Sequence, residues 1–217
     1  IDRLLIVSSL SSPEPDTVFI DKMTAMCEHS GITPVLCFNK ADLTDDYAIA
    51  EEYRKTGYRV IVTSVFENKG TEELKELVSE GITAVAGFSG VGKSSILNSI
   101  TDKELSETGS VSKKLSRGKH TTRHAELFPL SENAYIADTP GFSSVNIEHL
   151  RKEELAELFI EFRPFISNCK FNDCLHLKEK DCAVKKAVDE GKIPAFRYES
   201  YKLLYDSVKD INDWERK

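Results

Sequence analysis

Short apolar runs alternate with helically spaced stretches along the first eighty residues. Leu4 to Val7 is a continuous apolar run, and Val35 to Phe38 and Arg59 to Val62 repeat it. Between them, Asp16 to Ser30 carries apolar residues at helical intervals and stops before Gly31, and Asp45 to Thr56 stops before Gly57. Thr71 to Glu80 opens on a capping-box pattern, with Glu72 and Glu73 in the turn where the helix dipole favours acids. Strands that alternate with helices predict a parallel sheet covered on both faces, an α/β fold.

The second half continues this order and then changes character. Ile82 to Ala86 reads as a strand, and Ser94 to Ile100 begins a helix. A polar stretch rich in Ser and Lys runs from about Asp102 to Arg123 without periodicity, which is long for a connection in a compact domain. Ala125 to Leu130 and Ala134 to Ala137 read as a strand pair around Ser131-Glu132-Asn133. From Asn146 onward, Leu150, Leu155, Leu158, Phe159 and Phe162 predict a helix broken at Pro164. Further helices are expected over Ala183 to Asp189 and from Pro194 to Trp214. The expected division is an α/β domain over 1–145 and a small helical domain over 146–217.

Composition narrows the class. Forty per cent apolar and 30 % charged residues suit a globular chain, and no apolar run reaches the ~18 residues of a membrane span. The net charge of -7 argues against strong non-specific binding to nucleic acid; Lys113, Lys114, Arg117, Lys119 and Arg123 are a candidate local basic patch, with a solvated loop as the alternative. The chain opens inside a strand pattern without an initiator Met, so it reads as a piece of a longer protein. Cys27 and Cys37 stand alone among apolar neighbours as small core residues.

Four motifs carry chemistry. Gly87-Phe88-Ser89-Gly90-Val91-Gly92-Lys93-Ser94, followed by Ser95, is a complete phosphate-binding loop between a strand and a helix. Its glycines let successive N–H groups turn inward on a phosphate, Lys93 reaches the β- and γ-phosphates, and Ser94 suits Mg²⁺. Asn39-Lys40-Ala41-Asp42 directly follows a strand and matches the guanine reader Asn-Lys-x-Asp. Asp42 can accept from guanine N1–H and N2–H, Lys40 can lie along the base and Asn39 braces the loop; adenine would leave the carboxylate unpaired, a discrimination of about 10⁴. Ser64-Val65 resembles a second base-contacting motif, with Val65 where Ala is usual. Asp138-Thr139-Pro140-Gly141 fits Asp-x-x-Gly at a strand end, with Asp138 toward the Mg²⁺ shell and the Gly141 N–H toward the γ-phosphate.

Phe142 follows, where many GTPases carry a water-orienting Gln, so hydrolysis is slow or another group serves. His120 is the nearest candidate in sequence, with a solvated loop residue as the plain alternative. Thr122 is the candidate γ-phosphate-sensing Mg²⁺ ligand, with Thr121 as the alternative. Finally, Cys169, Cys174, His176 and Cys182 stand at C-x₄-C-x-H-x₅-C, a donor set for one tetrahedral, structural Zn²⁺.

The base reader precedes the phosphate loop, the reverse of the usual GTPase order. With the Gly-Lys-His-Thr-Thr string, Asp-Thr-Pro-Gly and the terminal Cys/His site, the chain resembles the circularly permuted GTPases of the RsgA/YjeQ/YloQ type. That resemblance implies a cytoplasmic GTPase, acting in late maturation of the small ribosomal subunit and stimulated by it. It implies GTP/GDP, Mg²⁺ and zinc as cofactors and the subunit with its rRNA as partner. It further implies a preceding RNA-binding OB-fold and a catalytic role for His120. A monomer with no membrane attachment is expected. The rival expectation is a zinc-stabilised docking module in which the nucleotide only sets affinity; an ATPase is a weaker third.

Overall fold

A computed structural model of the chain describes residues 1–101, 126–138 and 146–211. It forms two compact units that interleave in sequence. The first contains 1–15, 32–50 and 59–145; the second contains 16–31, 51–58 and 146–217.

The first unit is built on a six-stranded sheet in the order β3-β2-β1-β4-β6-β5. Its strands are β1 Arg3–Ser9, β2 Thr33–Asn39, β3 Arg59–Val62, β4 Gly81–Ala86, β5 Glu126–Ser131 and β6 Ala134–Asp138. Every pairing is parallel except that of β5 with β6. β1 lies between β2 and β4, and its Leu4, Leu5, Ile6 and Val7 are at most 1 % exposed, which is why it reads as unbroken apolar sequence. Helices α3 Thr71–Leu77 and α4 Lys93–Ile100 bury Leu74, Leu77, Ile96, Leu97 and Ile100 in one cluster with Leu5, Val7, Val35, Ile61 and Ile136 of the sheet. The chain turns from one side of β1 to the other between β3 and β4, so the sheet has a topological switch point, where ligands of open α/β sheets bind beyond the strand ends.

The second unit holds helix α1 Thr17–Ser30 with α5 Arg163–Ile166, α6 Ala183–Asp189 and α7 Ala195–Val208. Asp16 caps α1 by accepting from the Phe19 N–H at 2.9 Å, and Gly31 ends it in the left-handed conformation. Phe159, Phe162 and Tyr201 centre the core, with Tyr201 edge-on to both Phe rings at 5.5 and 5.3 Å.

Arg197 lies fully buried in this unit. Its Nε and Nη2 donate to Glu161 at 2.5 and 3.0 Å, and its Nη1 donates to Asp21 Oδ1 at 2.7 Å and to Thr24 at 3.2 Å. The guanidinium also faces the Phe159 ring at 4.6 Å, and Tyr53 donates to Asp21 at 2.6 Å. Burial pushes the Asp21 carboxyl up from its ordinary value, against the pull of Arg197, Ser200 and Tyr53.

Several expected elements differ in detail. The helix expected around Leu150 to Phe162 is instead turns and a single 3₁₀ segment, Leu155–Leu158. Glu157, Phe159 and Phe162 donate backward over three residues, to Glu154, Ala156 and Phe159. Apolar residues three apart line one side of a 3₁₀ turn as well as of an α-helix. α2, Ala48–Lys55, is shorter than expected because Asp46 accepts from the Ala48 N–H at 2.9 Å and fixes its start. Thr71 does not cap α3: Gly70 holds that place, and the Thr71 hydroxyl donates to Asn68 Oδ1 at 2.7 Å. α7 ends at Val208, and the expected extension toward Trp214 runs beyond the described residues. Cys27 and Cys37 are buried as expected, and burial pushes both thiols up to about 12.

Candidate functional site

Parallel pairing brings the motifs together. Asn39 ends β2, Ser64 follows β3, the phosphate loop follows β4 and Asp138 ends β6, so all four leave the same edge of the sheet. Strand order, unlike chain order, sets their neighbours; the inverted sequence of motifs therefore costs the site nothing.

Asn39 joins three of these loops. Its side chain is nearly fully buried; Nδ2 donates to the Val91 carbonyl at 3.0 Å, and Oδ1 accepts from the Thr63 hydroxyl at 3.0 Å. Gly92 makes this possible. Its φ of 97° favours glycine, and a Cβ there would stand 2.2 Å from Asn39 Nδ2. Gly87 is equally constrained, because a Cβ would lie 2.3 Å from the Val7 carbonyl oxygen.

The base-reading loop is held from two sides. Ser64, fully buried, donates from its hydroxyl to Asp42 Oδ1 at 2.6 Å. A carboxylate has acceptor sites for this bond and for two more. Val65, half-buried, packs its side chain against the core of the first unit, which accommodates the larger residue. Lys40 adopts a φ of 64° and donates from Nζ to the Ser12 carbonyl, while the Ala41 N–H donates to the Thr63 carbonyl at 3.0 Å.

In the phosphate loop, Gly87, Gly90 and Gly92 all have positive φ, and α4 begins at Lys93. Lys93 Nζ donates to the Gly87 and Phe88 carbonyls at 2.8 and 2.7 Å, and burial lowers its ammonium from the ordinary lysine value. Ser94 and Ser95 lie exposed in the first turn of α4, beside the free N–H groups of its N-terminus. Phe88, Ser89 and Gly90 are likewise exposed.

His120, Thr121, Thr122, Gly141 and Phe142 lie outside the described residues, as does the side chain of Asp138.

The second unit carries the Cys/His cluster. The ligand atoms of Cys169, Cys174, His176 and Cys182 all lie within 4.8 Å of one another. His176 Nδ1 is 3.3 Å from Cys182 Sγ and 3.5 Å from Cys169 Sγ, and the two sulfurs are 3.8 Å apart. Zn–S bonds of ~2.3 Å at tetrahedral angles give edges of about 3.8 Å, so the set fits zinc. The chain around it is tied down. Tyr198 and Tyr201 donate to the carbonyls of His176 and Leu175 at 2.6 and 2.7 Å, and Glu179 accepts from the Leu175 and Leu177 N–H groups at 3.0 and 2.8 Å. Partial burial would raise the Glu179 carboxyl, but these and other backbone donors hold it below its ordinary value.

Sequence reading missed the supports. Neither Thr63, which donates to Asn39, nor Tyr47 is marked by any motif; the ties of Tyr47 lie on the other side of the base-reading loop. The Tyr47 hydroxyl donates to the Ala41 carbonyl at 3.3 Å, and its ring lies 4.8 Å beneath the Lys69 ammonium.

Comparison with known proteins places the chain in a family. A family model described as RsgA GTPase matches residues 1–148. A relative from Caldanaerobacter subterraneus subsp. tengcongensis, named small ribosomal subunit biogenesis GTPase RsgA, is 45 % identical over 213 residues, 97 % of this chain and 72 % of that protein. One of the same name from Ruminiclostridium cellulolyticum is 43 % identical over 219 residues, covering 100 % of this chain and 72 % of the relative. Among solved structures, YjeQ from Thermotoga maritima superposes with a TM-score of 0.80 at 33 % identity, covering 98 % of this chain and 73 % of that one. YloQ, described as a circularly permuted GTPase, gives 0.76 at 34 % identity, covering 98 % and 69 %.

Proposed function

Because the chain belongs to the RsgA GTPase family, we propose that its GTP site is assembled from the four strand-end loops of the first unit. The protein is a GTPase of small ribosomal subunit biogenesis. The observation that carries the site assignment is the Ser64–Asp42 bond, which aims a carboxylate from the loop after β2 while Asn39 fixes that loop against the phosphate loop.

In this reading Asp42 accepts from the guanine edge, with Lys40 along the base and the Val65 N–H beside it. The N–H groups of Gly87 to Ser95 and the Lys93 ammonium hold the phosphates. Ser94, Thr122 and Asp138 suit a Mg²⁺ ion, which when bound neutralises charge on the β- and γ-oxygens. The Gly141 N–H senses the γ-phosphate, and His120 orients the attacking water. Lys93 must leave the Gly87 and Phe88 carbonyls to reach a phosphate, an exchange of neutral acceptors for charged ones. The partners are the small subunit and its rRNA, the compartment is the cytoplasm, and the protein acts as a monomer with a GTPase part over 1–145 and a zinc part over 146–217, although 16–31 and 51–58 of the first part pack within the second compact unit.

Turnover with and without purified small subunits tests the catalytic assignment. His120→Ala should lower subunit-stimulated turnover by about 10² or more, the usual scale of general acid–base and positioning effects, and leave GDP affinity within twofold. Wild-type stimulated turnover in this variant would remove His120 from the mechanism.

Cys169, Cys174, His176 and Cys182 would hold zinc, whose chemistry here is a structural cross-link. Elemental analysis should find about one zinc per chain, and stripping it with a chelator should lower the melting temperature by several degrees, because metal binding contributes folding free energy. A chain that neither carries nor takes up zinc contradicts the assignment.

A further inference from the structure

Phe66 is 90 % exposed, the most exposed of the large apolar side chains among the described residues. It sits at the tip of a closed turn after β3. The Ser64 N–H donates to the Lys69 carbonyl at 3.1 Å, the Lys69 N–H returns a bond to the Ser64 carbonyl at 2.9 Å, and the Asn68 N–H reaches the Val65 carbonyl at 3.3 Å. Two tethers hold the turn against the base-reading loop. The Ser64 hydroxyl accepts from the Glu67 N–H at 3.1 Å while donating to Asp42. On the other side, Lys69 donates to the Tyr47 hydroxyl at 3.3 Å, and Tyr47 in turn donates to the Ala41 carbonyl.

A rigid turn therefore presents a bare aromatic ring two residues from the serine that orients Asp42. Asp42 reads only the hydrogen-bonding edge of a guanine, and a Lys40 stem along the base covers one face, which leaves the other face of the purine to be covered by something else. We propose that Phe66 packs against the purine ring of the bound nucleotide. The assignment rests on Asp42 reading guanine. The ring adds affinity at little ordering cost, because its turn is already fixed. It adds no selectivity, because every purine offers the same apolar body; the edge selects and the ring holds.

Titration of the chain with GDP, GTP and ADP tests this. In Phe66→Ala the dissociation constants for GDP and GTP should rise by the same factor, about tenfold, the scale of base–aromatic stacking, with the melting temperature of the free chain unchanged. In a Trp214→Phe background, Phe66→Trp should keep GDP affinity within twofold of the parent, and the introduced indole should change its fluorescence on GDP addition. Parental GDP affinity in Phe66→Ala, or an indole signal unmoved at saturating GDP, overturns the role of Phe66 alone. An unsubstituted chain that binds ADP as well as GDP overturns the base-site assignment, and this proposal with it.

Discussion

Asp42→Asn should weaken GDP binding by about three orders of magnitude and shift preference to xanthine diphosphate. The Asp42 carboxylate already accepts one bond, from Ser64, and on the proposed assignment would offer its remaining acceptor sites to the two N–H groups on the guanine edge. Asn replaces one acceptor oxygen with an NH₂ donor, which then faces a guanine donor. Xanthine carries a carbonyl where guanine has its amine, so the new donor finds an acceptor. Sites built on such hydrogen bonds discriminate by 10⁴ or more, because the wrong partner leaves buried polar groups unpaired. Calorimetric titration of wild type and variant with GDP, XDP and ADP reads all three arms. Undiminished GDP affinity in Asp42→Asn would exclude Asp42 from base reading.

Arg197→Ala should destabilise the chain by about 3–5 kcal/mol, the usual cost of removing one member of a buried ion network. The variant leaves Glu161 and Asp21 without their counter-charge in a site where Arg197 and Asp21 are both 0 % exposed. It also takes a planar cation off the Phe159 ring. The network as a whole is a weaker source of stability than that figure suggests, because desolvating three charges offsets most of their attraction. The triple variant Arg197→Met, Asp21→Leu, Glu161→Leu should therefore recover much of the loss. Denaturant unfolding of the single and triple variants checks both statements. A loss below about 0.5 kcal/mol in Arg197→Ala, the range of a surface substitution, would mean that the buried cation is not held as the structure shows it.

The sheet was largely legible because its strands write themselves as apolar runs. β1 is covered on both faces, so Leu4 to Val7 needed no alternation to be recognised. The strand-end loops of the proposed nucleotide site stood out because each carries a short string with a chemical reason behind it. The Ser64–Asp42 bond did not, since 22 residues separate its ends and only the β2–β3 register makes them neighbours. The Arg197 network was invisible for a stronger reason: its Nη1 bond spans 176 positions, and a buried charge pair has no periodicity to announce it. The segment before Pro164 misled because a spacing of three serves 3₁₀ turns and α-helices alike.

The bonds of Asn39 have a metric consequence. One amide ties the loop proposed to hold the base to the loop proposed to hold the phosphates, with Gly92 bare to let it seat. The spacing of these two loops is thereby tied to the length of a single side chain, so on the proposed site the protein would gauge its ligand from end to end like a calliper. A purine alone or a pyrophosphate alone would fill one jaw; only a molecule of nucleotide length would span both.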